Sequence, residues 1–226
     1  MIRKRAGGFT IPELLIATSV FSVVLLITTA AFAIIGHIFF KGVTITSTQE
    51  NAQKILDSIS SDISAAPNNG IPTPVFTSSG VYPGESYGCV GNILYSYVAS
   101  KAVKGSEDKD SINTSGQFGL VRDDQSDCGT DPCSSATSCN FTNPAELLLS
   151  KGRVTALNIT KLGDTNNLLG KGDSLWDIAF TIAYGDDSVL NGLPGNPVCK
   201  EDLNSDQFCA VSKINTTATQ GFRATQ

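Results

Sequence analysis

From Leu14 to Phe40 the chain contains no Asp, Glu, Lys or Arg, and after Arg3-Lys4-Arg5 it has no cluster of basic residues. Neutralising phosphates takes clustered Lys and Arg. With a net charge of −5 and a pI near 4.8, nucleic-acid binding by bulk electrostatics is therefore not expected. Histidine is nearly absent as well. The one residue, His37, stands inside the uncharged stretch, so a serine or cysteine nucleophile later in the chain has no histidine base following it. No Cys-x-x-Cys pair occurs, which removes the usual half of a thiolate zinc site.

What is present divides the chain into two physical parts. As a helix, Leu14 to Phe40 measures roughly 40 Å at about 1.5 Å per residue, and about 20 residues suffice to span a bilayer. Charge is common only after Gln49. The whole, at 226 residues, has room for one domain of ordinary size beside a membrane segment. Arg3, Lys4 and Arg5 hold the N-terminal end in the cytoplasm and send the other end outward. All six cysteines follow Tyr87, in the part placed across the membrane, where disulfides are the default.

The junction reads Gly7-Gly8-Phe9-Thr10-Ile11-Pro12-Glu13-Leu14-Leu15. An isolated carboxylate in hydrocarbon costs about 2.5 kcal/mol or more when central, so Glu13 calls for a partner. Snorkelling to the headgroups near Arg5 is one solution. Pro12 suits a first helical turn, where its missing N–H had no acceptor to serve. A conventional signal peptide would use Arg3 to Arg5 as its basic region and Ala31-Phe32-Ala33 as its cleavage site, with a mature start near Ile34. Its apolar region would be too long and would begin with a carboxylate.

This stretch resembles the N-terminus of the type IV pilin and pseudopilin family: a basic leader, Gly-Phe, a glutamate four residues beyond that Phe, and a long apolar helix. The resemblance covers only the first forty residues or so. It implies that prepilin peptidase cuts between Gly8 and Phe9, that Phe9 becomes the methylated N-terminus, and that Glu13 accepts a neighbouring subunit's terminal ammonium. Two charges too costly to bury singly offset one another when subunits stack, which selects register. The chain departs from many members in lacking a second proline within Leu14 to Phe40, where Gly36 is the weak point.

After Lys41-Gly42 the pattern turns amphipathic: Ala52, Ile55, Ile59 and Ile63 recur at three- and four-residue steps, predicting a helix to about Ala65, stopped by Ala66-Pro67-Asn68-Asn69-Gly70. Its polar face is poor in Lys and Arg, so it is expected in a core and not on a membrane surface. Ile71 to Gly88 reads as a loop, Asn92 to Ala99 and Gln117 to Val121 as strands, and Asp123 to Asn143 as a Cys-, Ser- and Asp-rich excursion. Further strands are expected at about Arg153 to Leu162, Leu175 to Tyr184 and Phe208 to Asn215. Trp176, Ile178, Phe180, Ile182 and Tyr184 form the cleanest period-two series, a face expected to lie on the amphipathic helix.

Four chemistries compete in this second part. Gly172-Asp173-Ser174-Leu175 spells an esterase motif, but without a following histidine it reads as a turn feeding a strand. Cys128, Cys133 and Cys139 suggest thiolate ligation, against which disulfides are favoured. Cys199 and Cys209 resemble the disulfide-bounded loop many pilins carry near the C-terminus; the partners of Cys89, Cys128, Cys133 and Cys139 stay open. Calcium wants several oxygen ligands. Asp123, Asp124 and Asp127 form one acidic group, and Glu201, Asp202, Asn204 and Asp206 another, the better candidate because some pseudopilins hold calcium near that loop. Solvated acidic turns explain the same residues. The Asn-x-Ser/Thr triplets at Asn113, Asn140, Asn158 and Asn215 read as coincidence in a Ser/Thr-rich chain.

The resemblance thus implies an α+β chain, a long N-terminal helix packed on a C-terminal antiparallel sheet. Its segments are a cleaved leader (1–8), a transmembrane and filament-core helix (9–40), an amphipathic continuation (41–66) and a β-rich domain with disulfides (67–226). The expected role is a non-enzymatic subunit without a cofactor. It is anchored in the cytoplasmic membrane N-in and C-out and then built into an extracellular or periplasmic filament. The implied partners are prepilin peptidase, other pilin subunits and an inner-membrane assembly platform and motor. A mature chain of about 218 residues tilts the reading toward a minor pilin or a pseudopilin. The competing class is a secreted or anchored binding protein or enzyme.

Overall fold

Continuous backbone hydrogen bonding makes Ile11–Ala65 a single helix, α1. The structure is a computed structural model, and it describes Gly8 and residues 10–66, 76–79, 81–103, 112–113, 118–124, 130–135, 137–164, 174–193, 196–200 and 206–220. The chain divides into two compact units, Met1–Phe40 and Lys41–Gln226.

In the first unit the described large apolar side chains are exposed, from Ile11 at 79% through Leu26 and Phe32 at 70%. Its hydroxyls are satisfied within the helix. The hydroxyls of Thr18, Ser19, Ser22, Thr28 and Thr29 each donate to a carbonyl three or four residues back. Hydroxyls bonded in this way do not present unpaired donors to hydrocarbon.

In the second unit two antiparallel sheets share one helix. Strands β1 (Thr77–Ser78), β2 (Glu85–Val90), β3 (Ile93–Val98), β4 (Leu120–Asp123) and β7 (Pro144–Glu146) form the first, in the order β1-β2-β3-β4-β7. The short pair β5 (Cys133–Ser135) and β6 (Ser138–Cys139) lies within the excursion. Strands β8 (Gly152–Asp164), β9 (Ser174–Tyr184) and β12 (Ala210–Gln220) form the second, with β9 central. A small pair, β10 (Leu190–Asn191) and β11 (Val198–Cys199), and a 3-10 turn at Asp206–Phe208 precede β12. The segment after β3 joins the sheets: Ser100 N–H donates to Val154 O at 2.7 Å, and Val103 N–H to Gly152 O at 3.0 Å.

The period-two reading of β9 holds. Trp176, Ile178, Phe180 and Ile182 are buried in one core with Ala52, Ile55, Leu56, Ile59 and Ile63 of α1, while Tyr184 is only half-buried. Ile93, Tyr95 and Tyr97 of β3 join that core, whereas Leu94 and Val98 enter a second one. This second core holds Tyr82, Cys89, Ile112, Phe118, Val121, Cys133, Cys139 and Phe141 on the opposite face of the first sheet.

Several expectations are corrected. Ile71 to Gly88 is not all loop, because β1 and the start of β2 fall within it. The β2 sequence carries Ser, Gly and a buried Glu85, so it lacks the apolar alternation that marks a strand. Its turn into β3 at Gly91-Asn92 needs a positive φ, +65° at Gly91, and the missing Cβ there lets Ala66 approach. The strand expected from Gln117 begins instead at Leu120. That expected at Phe208 begins at Ala210 and runs on to Gln220 in full register with β9.

Candidate functional site

At the start of α1 the carboxylate of Glu13 turns back on its own chain. The Thr10 N–H donates to Glu13 Oε2 at 3.4 Å, the Thr10 hydroxyl donates to the same oxygen at 3.2 Å, and Leu14 N–H donates to Thr10 O at 3.1 Å. Thr10 is thus the N-cap and Glu13 the third helical residue that reaches back to it, half of a capping box. An anion also suits the positive end of the helix. The signal was available in sequence as Thr-x-x-Glu before an apolar run. Pro12 is the second helical residue, inside the turn where no N–H is missed. Gly8 is exposed; Phe9 and Arg5 lie outside the described residues. Glu13, Thr10 and every described residue as far as Ile35 are likewise exposed.

The second unit contains a polar clamp that the helical periodicity does not reveal. Asp62, a charged residue beside the apolar Ile59 and Ile63 of α1, accepts Nε and Nη2 of Arg122 on β4 at 2.9 and 3.0 Å and the hydroxyl of Tyr95 on β3 at 2.5 Å. Burial first, and the Asp62 hydrogen bond second, push the Tyr95 phenol above its ordinary range. The same carboxylate raises Arg122. The clamp pins helix register on the sheet.

The other candidates fall out separately. Cys133 is joined to Cys139, and Cys199 to Cys209; Cys89 is also disulfide-bonded, and Cys128 lies outside the described residues. Of the calcium candidates, Glu201, Asp202 and Asn204 lie outside the described residues, and Asp206 opens the 3-10 turn. Asp123 is not solvated. Buried on β4, its carboxylate accepts the N–H groups of Thr142 and Asn143 at 2.6 and 3.1 Å. Asp124 accepts the Asn143 side-chain amide, and Asp127 lies outside the described residues. Among the described residues no three His, Cys, Asp or Glu side chains gather as a metal site. Ser174 is buried in β9 opposite Gln220, not raised on an exposed turn. A cleft of about 320 Å³ lies between Val43 to Asn51 of α1 and the turn regions at Leu149 to Gly152 and Tyr184.

One helix among the described residues is long and apolar enough to cross a membrane, and it is the N-terminal one. A family profile described as the prokaryotic N-terminal methylation motif matches residues 3–29. No curated protein and no solved structure matches the chain. The matched segment contains Gly8-Phe9, the Thr10–Glu13 cap and the first half of the exposed apolar helix. By that segment, the chain carries the class III signal of type IV pilin and pseudopilin precursors.

Proposed function

We propose that the chain is a structural subunit of a type IV pilus or a related secretion filament, made as a precursor and cut between Gly8 and Phe9 by prepilin peptidase. In this reading Phe9 is N-methylated, residues 1–8 are the leader, 9–40 the membrane and filament-core helix, 41–66 its amphipathic continuation and 67–226 the displayed domain. Basic residues at 3–5 orient the precursor N-in and C-out. A motor and platform in the inner membrane extract it, and the helix exchanges lipid for other helices, so its apolar surface never meets water. Glu13 leaves Thr10 for a neighbour's terminal ammonium, an exchange of a weak exposed bond for a charge pair in a dry setting. The size of the displayed domain favours a minor pilin or a pseudopilin.

The observation that carries this reading is the methylation motif lying across the start of a long helix whose described large apolar side chains up to Phe40 are exposed. Mass spectrometry of the N-terminal peptide from membranes or filaments tests it. A methylated Phe9 is expected. A start near Ile34 indicates an ordinary secreted protein, and retention of Met1 to Arg5 a permanent anchor; either result overturns the proposal.

A further inference from the structure

Beneath the Cys133–Cys139 hairpin sits a carboxyl that the filament reading does not use. Glu85 is 1% exposed at the start of β2, opposite Val98, and so faces the second core. Oε1 accepts the Ser96 hydroxyl at 2.6 Å, and Oε2 has no partner among the described residues. Close by, Ser79 donates to Asp131 Oδ2 at 2.6 Å, and Asp131 Oδ1 accepts the Cys133 N–H at 3.0 Å. Asp131 is therefore the tether of the hairpin to the sheet, and its charge bears on Glu85. At the far end of the same segment, Asp123 holds Thr142 and Asn143, and the Asn113 side chain bonds both N–H and C=O of Phe141. Among the described residues, the remaining titratable groups around this core are Tyr82, Tyr87 and Lys101, and the Lys101 ammonium is bonded to the Tyr82 hydroxyl.

We propose that Glu85 is a proton-operated latch: as a neutral acid it lets residues 131–135 and 137–143 seat on the outer face of the first sheet, and its ionisation loosens them. A buried carboxylate with one oxygen unpaired and a second carboxylate beside it is disfavoured, whereas the neutral acid carries no such penalty. Consistent with this, burial first and the Asp131 charge in addition push Glu85 up to about 7, against the opposing hydroxyls of Ser96 and Ser79. Because the folded-state value is raised, the latch is fully set below the ordinary carboxyl value and is lost as the pH rises toward about 7. The outer surface of the displayed domain is thereby tight in acid and looser at neutral to alkaline pH.

Amide hydrogen exchange on the full chain in detergent micelles, corrected for intrinsic rates, is the test. Protection of the Cys133, Thr142 and Asn143 amides is expected to fall on the order of 70-fold between pH 5 and pH 8, while Phe180 in β9 stays level. Glu85→Gln keeps an acceptor for Ser96 and cannot ionise, so its profile is expected to be flat. Ser96→Ala removes the bond that favours the carboxylate, and the wild-type midpoint is expected to move to higher pH. This second variant decides the matter if the first does not fold. A flat wild-type profile, an unchanged slope in Glu85→Gln, an unmoved midpoint in Ser96→Ala or a slope shared by Phe180 each overturns the latch.

Discussion

Phe180 and Phe21 are the same side chain in opposite circumstances. Phe180 is fully buried between β9 and the amphipathic part of α1, and Phe21 is 63% exposed on the N-terminal part. The difference runs through both units. From Lys41 onward the buried apolar residues close on one another in two cores separated by the first sheet and in a smaller cluster at Ala183, Val189, Leu190 and Cys209, whereas the described large apolar side chains up to Phe40 are exposed. The second unit closes its own core; in the proposed filament subunit the first depends on the phase around it, lipid or other helices. This is the division of labour expected of a subunit whose fold must survive transfer between two environments.

The comparison breaks most sharply with paired truncations. Phe180→Ala is expected to cost about 3–5 kcal/mol in denaturant unfolding of the detergent-solubilised protein, because a large buried side chain is removed from a closed core. Phe21→Ala is expected within about 0.5 kcal/mol in the same assay, yet to lower recovery in filaments. Equal losses of stability would show that the N-terminal helix is packed within the monomer, contrary to its exposure.

Within the second unit, the Asp62 clamp is a sharper probe than the apolar contacts because it acts at one register. Asp62→Ala strands the Arg122 guanidinium and the Tyr95 hydroxyl, and is expected to cost about 2–3 kcal/mol. Asp186→Ala breaks an ion pair with Lys151 whose side chains are 60% and 51% exposed, and is expected to change unfolding by less than about 0.5 kcal/mol. Chemical denaturation of both variants checks the ranking, which fails if the exposed pair matters as much.

The same contrast explains what could be read from sequence. Uncharged length and the Gly8-Phe9–Glu13 spacing are local, so the N-terminal unit and its signal are legible directly. In the second unit, period two in β9 and the three-to-four spacing of Ala52, Ile55, Ile59 and Ile63 report one core. The other core draws also on Ile112, Phe118, Cys133 and Phe141, which come from separate segments too short to show a period. Polar residues mislead for a related reason. Asp62 and Glu85 look solvated by type, and only tertiary placement makes one a clamp and the other a buried acid.

The smallest effect concerns Glu13 itself, which has a partner in the isolated chain and a different one in the proposed filament. Thr10→Ala removes the N-cap hydroxyl and is expected to cost the helix start about 1 kcal/mol or less, since the site is exposed and the rest of α1 is long. Glu13→Gln keeps an oxygen that can accept the Thr10 N–H while deleting the charge. If the carboxylate serves chiefly as a cap, Thr10→Ala and Glu13→Gln should disturb filament entry to similar small extents. If it pairs with an ammonium, Glu13→Gln should impair entry as severely as Glu13→Ala, with Thr10→Ala within about twofold of wild type, because a neutral amide does not offset a buried positive charge. Quantifying each variant in sheared filaments against its level in the membrane separates the two roles. The second outcome is expected, since the capping bonds at 3.2 and 3.4 Å are long and exposed and cost little to exchange.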